Sequence, residues 1–384
     1  MLENFDLSKA VQPLLDWYQL NKRSLPWRDE VSPYRTWVSE IMLQQTRVEA
    51  VKPYFARFME SLPTIQDLAE CSEEKLLKLW EGLGYYNRVR NMQAAAQTVM
   101  AEYGGQLPAD YEALLGLKGI GSYTAGAIAS IAYGISVPAV DGNVLRIIMR
   151  LTEDDSDIMK QSTKTKVEQA LRTVLQEKKL ASEKENQGCS GDSHDKVISE
   201  KLPENLPGDL NQALMELGAT VCVPNGAPHC EVCPWKEICL AHKHQSYDRL
   251  PVKTKAKPRK IEQRTILIVR DGEHVILEKR PKKGLLASMY QFLNLEGHLT
   301  EEEALKQVQQ MDLHPMRIQK LENAVHIFSH VEWHMTGYMI QVDSLTREEA
   351  DVTFVEIETA QKSYAIPSAF AAYTKYLELK LGIQ

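Results

Sequence analysis

The sequence predicts a mostly α-helical N-terminal portion followed by a smaller α+β domain. Three observations carry that prediction. Apolar residues recur at helical spacing over roughly the first 175 residues. A stretch rich in lysine and carrying two prolines, DRLPVKTKAKPRKIEQR at 248–264, has the composition of a linker. After it the apolar pattern shortens to strand-like runs. At 384 residues the chain is long for one domain, and two or three are expected. Hydrophobic content of 43% and charged content of 25% are ordinary for a globular protein, and no apolar run reaches membrane-spanning length. The start, MLENFDLSKA, lacks the basic-then-apolar order of an export signal, so the cytoplasm is the expected compartment and no membrane partner is expected.

In chain order, helices are predicted over 5–20, 34–50, 65–83 and 91–103. Residues 114–143, LLGLKGIGSYTAGAIASIAYGISVPAVDGN, join a glycine-kinked turn between two apolar helical segments to an aspartate after a proline-marked turn. In that first turn Gly119 and Gly121 are expected to allow φ > 0 and close approach, and the helix starting near Ser122 offers unpaired N–H donors. The hairpin can therefore hold a phosphate, with Lys118 facing it. Residues 176–206 are polar and apolar-poor, and are expected to form an exposed insertion. Helical pattern resumes at Asn211–Leu217. Beyond the linker, 265–269, the turn Asp271-Gly272 and 274–278 predict a β-hairpin. Strands at 325–328, 333–342 and 352–355 and helices at 301–311 and 368–381 complete the α+β domain.

The net charge of −7 argues against a nucleic-acid partner, but its distribution is uneven. Acidic residues gather at 153–157 and 176–209. Basic ones gather at Lys253, Lys255, Lys257, Arg259 and Lys260, and at Arg280, Lys282 and Lys283. A locally basic face is compatible with the average.

Four of the six cysteines fall in Cys222-x7-Cys230-x2-Cys233-x5-Cys239. In a reducing compartment they read as metal ligands rather than disulfides. The uneven spacing, with a single C-x2-C pair, suits a [4Fe–4S] cluster better than a zinc site. Cys71 and Cys189 have no partner motif.

The hairpin, the aspartate and the cysteine loop together resemble the iron–sulfur branch of the helix-hairpin-helix DNA glycosylases. Further stretches narrow the likeness: Leu25-Pro26-Trp27-Arg28, Trp37 to Thr46 (WVSEIMLQQT), Gly82-Leu83-Gly84-Tyr85-Tyr86, Val140 to Val144 (VDGNV) and Asn211 to Gly218 (NQALMELG) look like adenine DNA glycosylases of the MutY type. Gly284-Leu285-Leu286-Ala287 and Phe328-Ser329-His330 resemble that family's Nudix-like domain. The likeness covers nearly the whole chain. Two features depart from it: seven residues rather than six separate the first two cysteines, with Gly226 as the accommodation, and the insertion is longer than usual.

The resemblance implies a helix-hairpin-helix glycosylase fold over 1–246, with the six-helix hairpin part at about 25–135 and the cluster part built from the N-terminal helix and 136–246. It implies a linker at 247–263 and a Nudix-like 8-oxoguanine recognition domain at 264–384. The implied activity is removal of adenine mispaired with 8-oxoguanine or guanine in base excision repair, leaving an abasic site in duplex DNA, by a monomer holding a [4Fe–4S] cluster.

Breaking the bond between adenine and its sugar calls for a proton donor and for stabilisation of an oxocarbenium-like charge, work two carboxyls in different surroundings can divide. Glu40, in WVSEIML, has almost only apolar neighbours, and desolvation there would keep it protonated as a general acid; a solvated helix carboxylate is the bland alternative. Asp141 reads as a helix N-cap, and the family gives it stabilisation of the sugar cation. Asn143 and Tyr123 are the implied supports. Where endonuclease III enzymes place a lysine that forms a Schiff base, this chain has Tyr123, so base removal without strand cleavage is expected. Gln45 and Tyr85 match intercalating residues, which offset the cost of base flipping, with Thr46 beside the opposite base. Arg23, Trp27, Arg28, Leu43 and Gln212 match the adenine pocket, and Phe328, Ser329 and His330 the 8-oxoguanine loop.

Three rival readings stand beside this one. One is a bifunctional, endonuclease III-like pyrimidine glycosylase/lyase; another is a non-catalytic iron–sulfur redox sensor that binds DNA. Nucleotide pyrophosphate hydrolysis by the C-terminal domain needs a glutamate-rich magnesium helix, but after Glu301–Glu303 the stretch turns to Gln307, Gln309 and Gln310.

Overall fold

The computed structural model describes residues 2–187, 203–255, 258–345 and 352–378. They form two compact units: one of residues 1–59, 63–69 and 91–255, the other of 60–62, 70–90 and 256–384. Among the described residues no helix is long and apolar enough to cross a membrane.

The first unit is helical. Its core is built where Val11–Asn21, Gly142–Thr152 and Leu206–Thr220 meet, with Leu14, Val144, Ile148, Leu214 and Leu217 nearly or fully excluded from solvent. Several predicted helices are interrupted for local reasons. The 34–50 segment splits into Pro33–Leu43 and Val48–Ser61 because Gln45 takes a left-handed conformation, φ 60°. In the 65–83 segment Ser72 starts a new helix, Glu73–Leu79, by capping the Lys75 N–H at 3.3 Å. At the N terminus a 3-10 turn, Leu7–Ala10, capped by Asp6, precedes the first α-helix. The helix begun at Gln161 runs on to Gln187, into the stretch read as an insertion from 176. Residues 188–202, with Cys189, lie outside the described residues.

Among the described residues the second unit carries seven strands: β1 (Lys260–Arg270), β2 (His274–Lys279), β3 (Tyr290–Gln291), β4 (Leu293–Glu296), β5 (Pro315–Ile327), β6 (Val331–Val342) and β7 (Val352–Glu356). The sheet order is β3-β2-β1-β6-β5, with β4 on β1 and β7 on β2. β1 and β6 are parallel in continuous register from Lys260↔Val331 to Arg270↔Gln341. Period-two alternation gives this sheet two apolar faces. Ile266, Ile268, Trp333 and Met335 pack with Phe370 and Tyr373 on one. Leu267, Val269, Tyr338 and Ile340 pack with Ala304 and Val308 of the Glu301–Gln310 helix on the other. The segment predicted as one helix over 368–381 is a chain of short turns, Ser368–Phe370, Ala371–Thr374 and Lys375–Leu377; residues beyond 378 lie outside the described residues.

Candidate active site

A cleft of about 790 Å³ opens in the helical unit. Glu40, Asp141, Tyr123 and Asn143 line it together with Arg23, Trp27, Arg28, Leu43, Gln212, Gln45 and Thr46. Eleven residues singled out from separate stretches of sequence thus face one space.

Glu40 sits one turn from the end of Pro33–Leu43, a helix started by Pro33 at its first turn and by Ser32, whose hydroxyl caps the Arg35 N–H. Its neighbours Trp37, Val38, Ile41 and Met42 are buried, and Glu40 itself is 5% exposed. The Tyr123 hydroxyl donates to Glu40 Oε2 at 2.5 Å. Burial pushes the Glu40 carboxyl up to about 7; the Asp141 charge adds to the rise, while the Tyr123 bond and Arg28 oppose it. Burial, then the charges of Glu40 and Asp141, raise Tyr123 well above the ordinary phenol range, so it remains a donor.

Asp141 caps Gly142–Thr152. Its Oδ1 accepts from the N–H groups of Asn143 and Val144, each at 2.8 Å, and its Oδ2 from the Asn143 side chain at 2.8 Å. The turn before it is pinned by Asn211, 1% exposed, which accepts from Ala139 N and donates to Val137 O, both at 2.9 Å. Gly218 lets the next helix approach, since a Cβ there would stand 2.9 Å from Asn143 Cβ. Asn143 is itself held by Arg146, which donates to its Oδ1 at 2.9 Å and to Gly218 O at 2.8 Å. The arrangement sets a carboxyl raised to about 7 in one cleft with a second carboxyl on which three donors converge, a pairing that can divide the work of glycosidic cleavage.

One important residue escaped the sequence reading. Glu216, 1% exposed, binds Arg23 through both its oxygens and accepts from Arg28 NH2 at 2.9 Å. Burial alone would push this carboxyl up, but the hydrogen bonds and charges of the two arginines hold it below its ordinary value. Arg28 also donates to Gln212 Oε1 at 3.0 Å. Gln212 and Glu216 are four apart on one helix face, a spacing that could have flagged the acid. Trp27 packs edge-on against Phe55, ring centroids 5.4 Å apart.

Lys118, Gly119 and Gly121 do not line the cleft; they form the turn before Ser122–Ala127. Gly119 has φ 81°, and an added Cβ would meet Asn91 Cβ at 2.6 Å. Gly121, against expectation, has φ −93° and ψ 178°. It is the helix N-cap, a position that takes extended backbone, and as glycine it leaves the first N–H groups without a side-chain cap. Lys118 is exposed.

Tyr85 belongs to the second unit. It is 49% exposed with φ 49°. Gln45 is also exposed, so both candidate intercalating residues are non-glycine side chains presented from left-handed backbone, strain of the kind found at functional sites. Phe328, Ser329 and His330 form the tight turn between β5 and β6, closed by Phe328 N–H to Val331 O at 2.9 Å. Phe328 packs between His326 and Trp333, while Ser329 and His330 are exposed.

Cys222, Cys230, Cys233 and Cys239 line a separate small pocket of the helical unit with Arg150 and Trp235. Between Cys222 and Cys230 the chain turns at Gly226, φ 80°. Burial pushes the Cys233 thiol up to about 12 and that of Cys239 up to about 11, with neighbouring cysteines adding to both. Arg150 NH1 lies 3.3 Å from Cys222 Sγ. Thiols buried in this way become thiolates beside a cationic centre, so the donor set fits a cysteine-ligated cluster. Among the described residues no group of three or more His, Cys, Asp or Glu side chains is arranged to hold a metal ion.

Fold and cleft define a class: residues 38–177 match the HhH-GPD superfamily of base excision DNA repair proteins, and 264–376 match a NUDIX domain. The adenine DNA glycosylase of Rattus norvegicus is 31% identical over 97% of this chain and 79% of its own length. That of Mus musculus is 33% identical over 96% and 78%, and that of Buchnera aphidicola subsp. Schizaphis graminum (strain Sg) 30% identical over 86% and 87%. The chain belongs to the adenine DNA glycosylases.

Proposed function

We propose that this enzyme removes adenine paired with 8-oxoguanine, or with guanine, from duplex DNA by hydrolysing the N-glycosidic bond and leaving an abasic site. The observation that carries the reading is Glu40, a carboxyl raised to about 7 and held by Tyr123 in the same cleft as Asp141. In its neutral form Glu40 donates a proton to the departing base, so that adenine leaves uncharged. Asp141, oriented by Asn143 and the helix N–H groups, faces the cationic sugar and lowers its energy electrostatically. Arg23, Trp27, Arg28, Leu43 and Gln212 receive the flipped purine, with Glu216 fixing both arginines.

Tyr123 cannot form a Schiff base, which supports hydrolysis without strand cleavage. Gln45 and Tyr85 enter the stack as the base leaves, with Thr46 beside the opposite base. The Lys118–Gly121 turn holds a phosphate. Ser329 and His330, with Phe328 behind them, read 8-oxoguanine. The four cysteines hold a [4Fe–4S] cluster, which when bound supplies a charged structural centre. The enzyme acts as a monomer on DNA, in the cytoplasm and on the nucleoid if bacterial.

The test is single-turnover adenine release from duplexes carrying adenine opposite each base, with wild type and Glu40→Gln. Release opposite 8-oxoguanine and guanine, abolished in the variant and with no borohydride-trapped adduct, is expected. Normal release by Glu40→Gln would end the assignment of the acid.

A further inference from the structure

Residues 70–90, which carry Tyr85, belong to the same compact unit as the C-terminal sheet, and among the contacts that tie the two together one is a buried carboxylate. Glu81 is 2% exposed. Its Oε1 accepts from the main-chain N–H of Ile366 at 2.8 Å, and its Oε2 from Lys78 Nζ at 2.8 Å. Lys78 also donates to Tyr364 O at 3.1 Å. From there the connection runs into the sheet. The Tyr290 N–H donates to Ala365 O at 3.1 Å, and the Tyr290 and Tyr364 rings pack edge to face with centroids 4.6 Å apart. Tyr290 opens β3, which pairs with β2 at Lys279, and the Lys279 ammonium reaches Glu74 at 2.9 Å. Arg90 closes the far end of the segment by donating to Glu73 Oε1 at 2.8 Å and to Ala287 O.

On its other side Glu81 leads into a rigid turn. Gly82, Gly84 and Tyr85 all have positive φ. The Trp80 indole donates to Gly84 O at 3.1 Å, and Arg88 NH2 donates to Leu83 O and Gly84 O, each at 3.1 Å. The Arg88 guanidinium also lies over the Trp80 and Tyr85 rings. These contacts bind the turn that joins Glu81 to Tyr85. An apolar residue would fill the same volume at lower desolvation cost; a carboxylate engaged at both oxygens adds direction.

We propose that Glu81 is a positioning residue that locks the Tyr85 turn to the C-terminal sheet, so that Tyr85 and the Phe328–His330 turn act as one body. Recognition of the base opposite adenine is thereby tied to insertion into the stack. The proposal rests on the roles given above to Tyr85 and to residues 328–330.

The experiment compares single-turnover adenine release opposite 8-oxoguanine and opposite guanine, with 2-aminopurine beside the target reporting unstacking. Glu81→Ala is expected to slow release opposite 8-oxoguanine about tenfold and release opposite guanine only about threefold, because Tyr85 inserts on both duplexes but the 328–330 turn reads one of them. The fluorescence rise should shrink more on the 8-oxoguanine duplex. Glu81→Ala added to Ser329→Ala should cause no loss beyond that of Ser329→Ala, because both act through one contact. Equal slowing on both duplexes, or multiplicative loss in the double variant, overturns the proposal. Should Glu81→Ala not fold, Glu81→Gln keeps the volume and the Ile366 bond. It is expected to show the same selective loss at about threefold, and absence of a selective loss there overturns the proposal equally. A wild-type enzyme with no preference for 8-oxoguanine would overturn the reading of residues 328–330 and this proposal with it, a result the wild-type arm alone reveals.

Discussion

Replacing Tyr123 by phenylalanine removes one oxygen, and with it the 2.5 Å bond to Glu40, while keeping the ring. That bond favours the charged carboxylate, so its loss must push the acid further up from about 7. A hydrogen bond to a charged group contributes about 1.5–3 kcal/mol, and one pKa unit corresponds to about 1.4 kcal/mol, so the shift is at least about one unit. Glu40 needs its proton in order to donate it. The rate therefore sits on a plateau below the pKa and falls about tenfold per pH unit above it. In Tyr123→Phe the plateau drops, because the acid is less firmly oriented, but the alkaline limb moves to higher pH. Single-turnover adenine release with enzyme in excess, followed across the limb for wild type and variant, measures both effects separately. A limb that stays put or moves to lower pH would refute the reasoning: either Glu40 is not the titrating acid, or the phenol does not stabilise its charged form.

The same carboxyl leaves a mark on stability. Its folded-state value lies above the ordinary 4.5, so the folded protein binds the extra proton, and stability falls as pH rises from about 4.5 to about 7. The decline attributable to Glu40 is about 3 kcal/mol, and Glu40→Gln should flatten it in urea unfolding followed over that range; an unchanged slope would show that Glu40 is not the cause. The two hairpin glycines should respond unequally. Gly119→Ala meets Asn91 and a φ of 81°, and should lose about 2 kcal/mol, whereas Gly121→Ala enters open space at φ −93° and should lose less than about 0.5 kcal/mol, as thermal unfolding would show.

What was legible in the sequence is what depends on near neighbours. Asp141 as a cap could be read because its donors, Asn143 and Val144, follow within three residues. The β1–β2 hairpin could be read from Asp271-Gly272 and the flanking runs. The parallel pairing of β1 with β6 could not, because its partners lie about seventy residues apart and each strand carries the same apolar alternation whichever neighbour it takes. β3 and β4, of two and four residues, are too short to show a period. The left-handed turns at Gln45 and Tyr85 carry no local cue at the residues themselves, although Gly82 and Gly84 mark the second.

The chemistry of the cleft falls on the non-local side of the same divide. Glu40 in isolation is a helix carboxylate; its partner Tyr123 stands 83 residues away, and its burial comes from the packing of its own helix. Glu216 is the sharper case, since the arginines that make it a structural anion precede it by 193 and 188 residues. A carboxyl raised toward 7 and a carboxyl held low thus share one cleft. The local sequence around each is a helix with apolar neighbours, WVSEIML and QALMELG. Their opposite shifts come from what folding does around them: burial and a second carboxylate outweigh the Tyr123 bond at Glu40, and two guanidinium groups outweigh burial at Glu216. The same residue type, in similar local sequence, is raised toward neutrality in one place and held as an anion in the other.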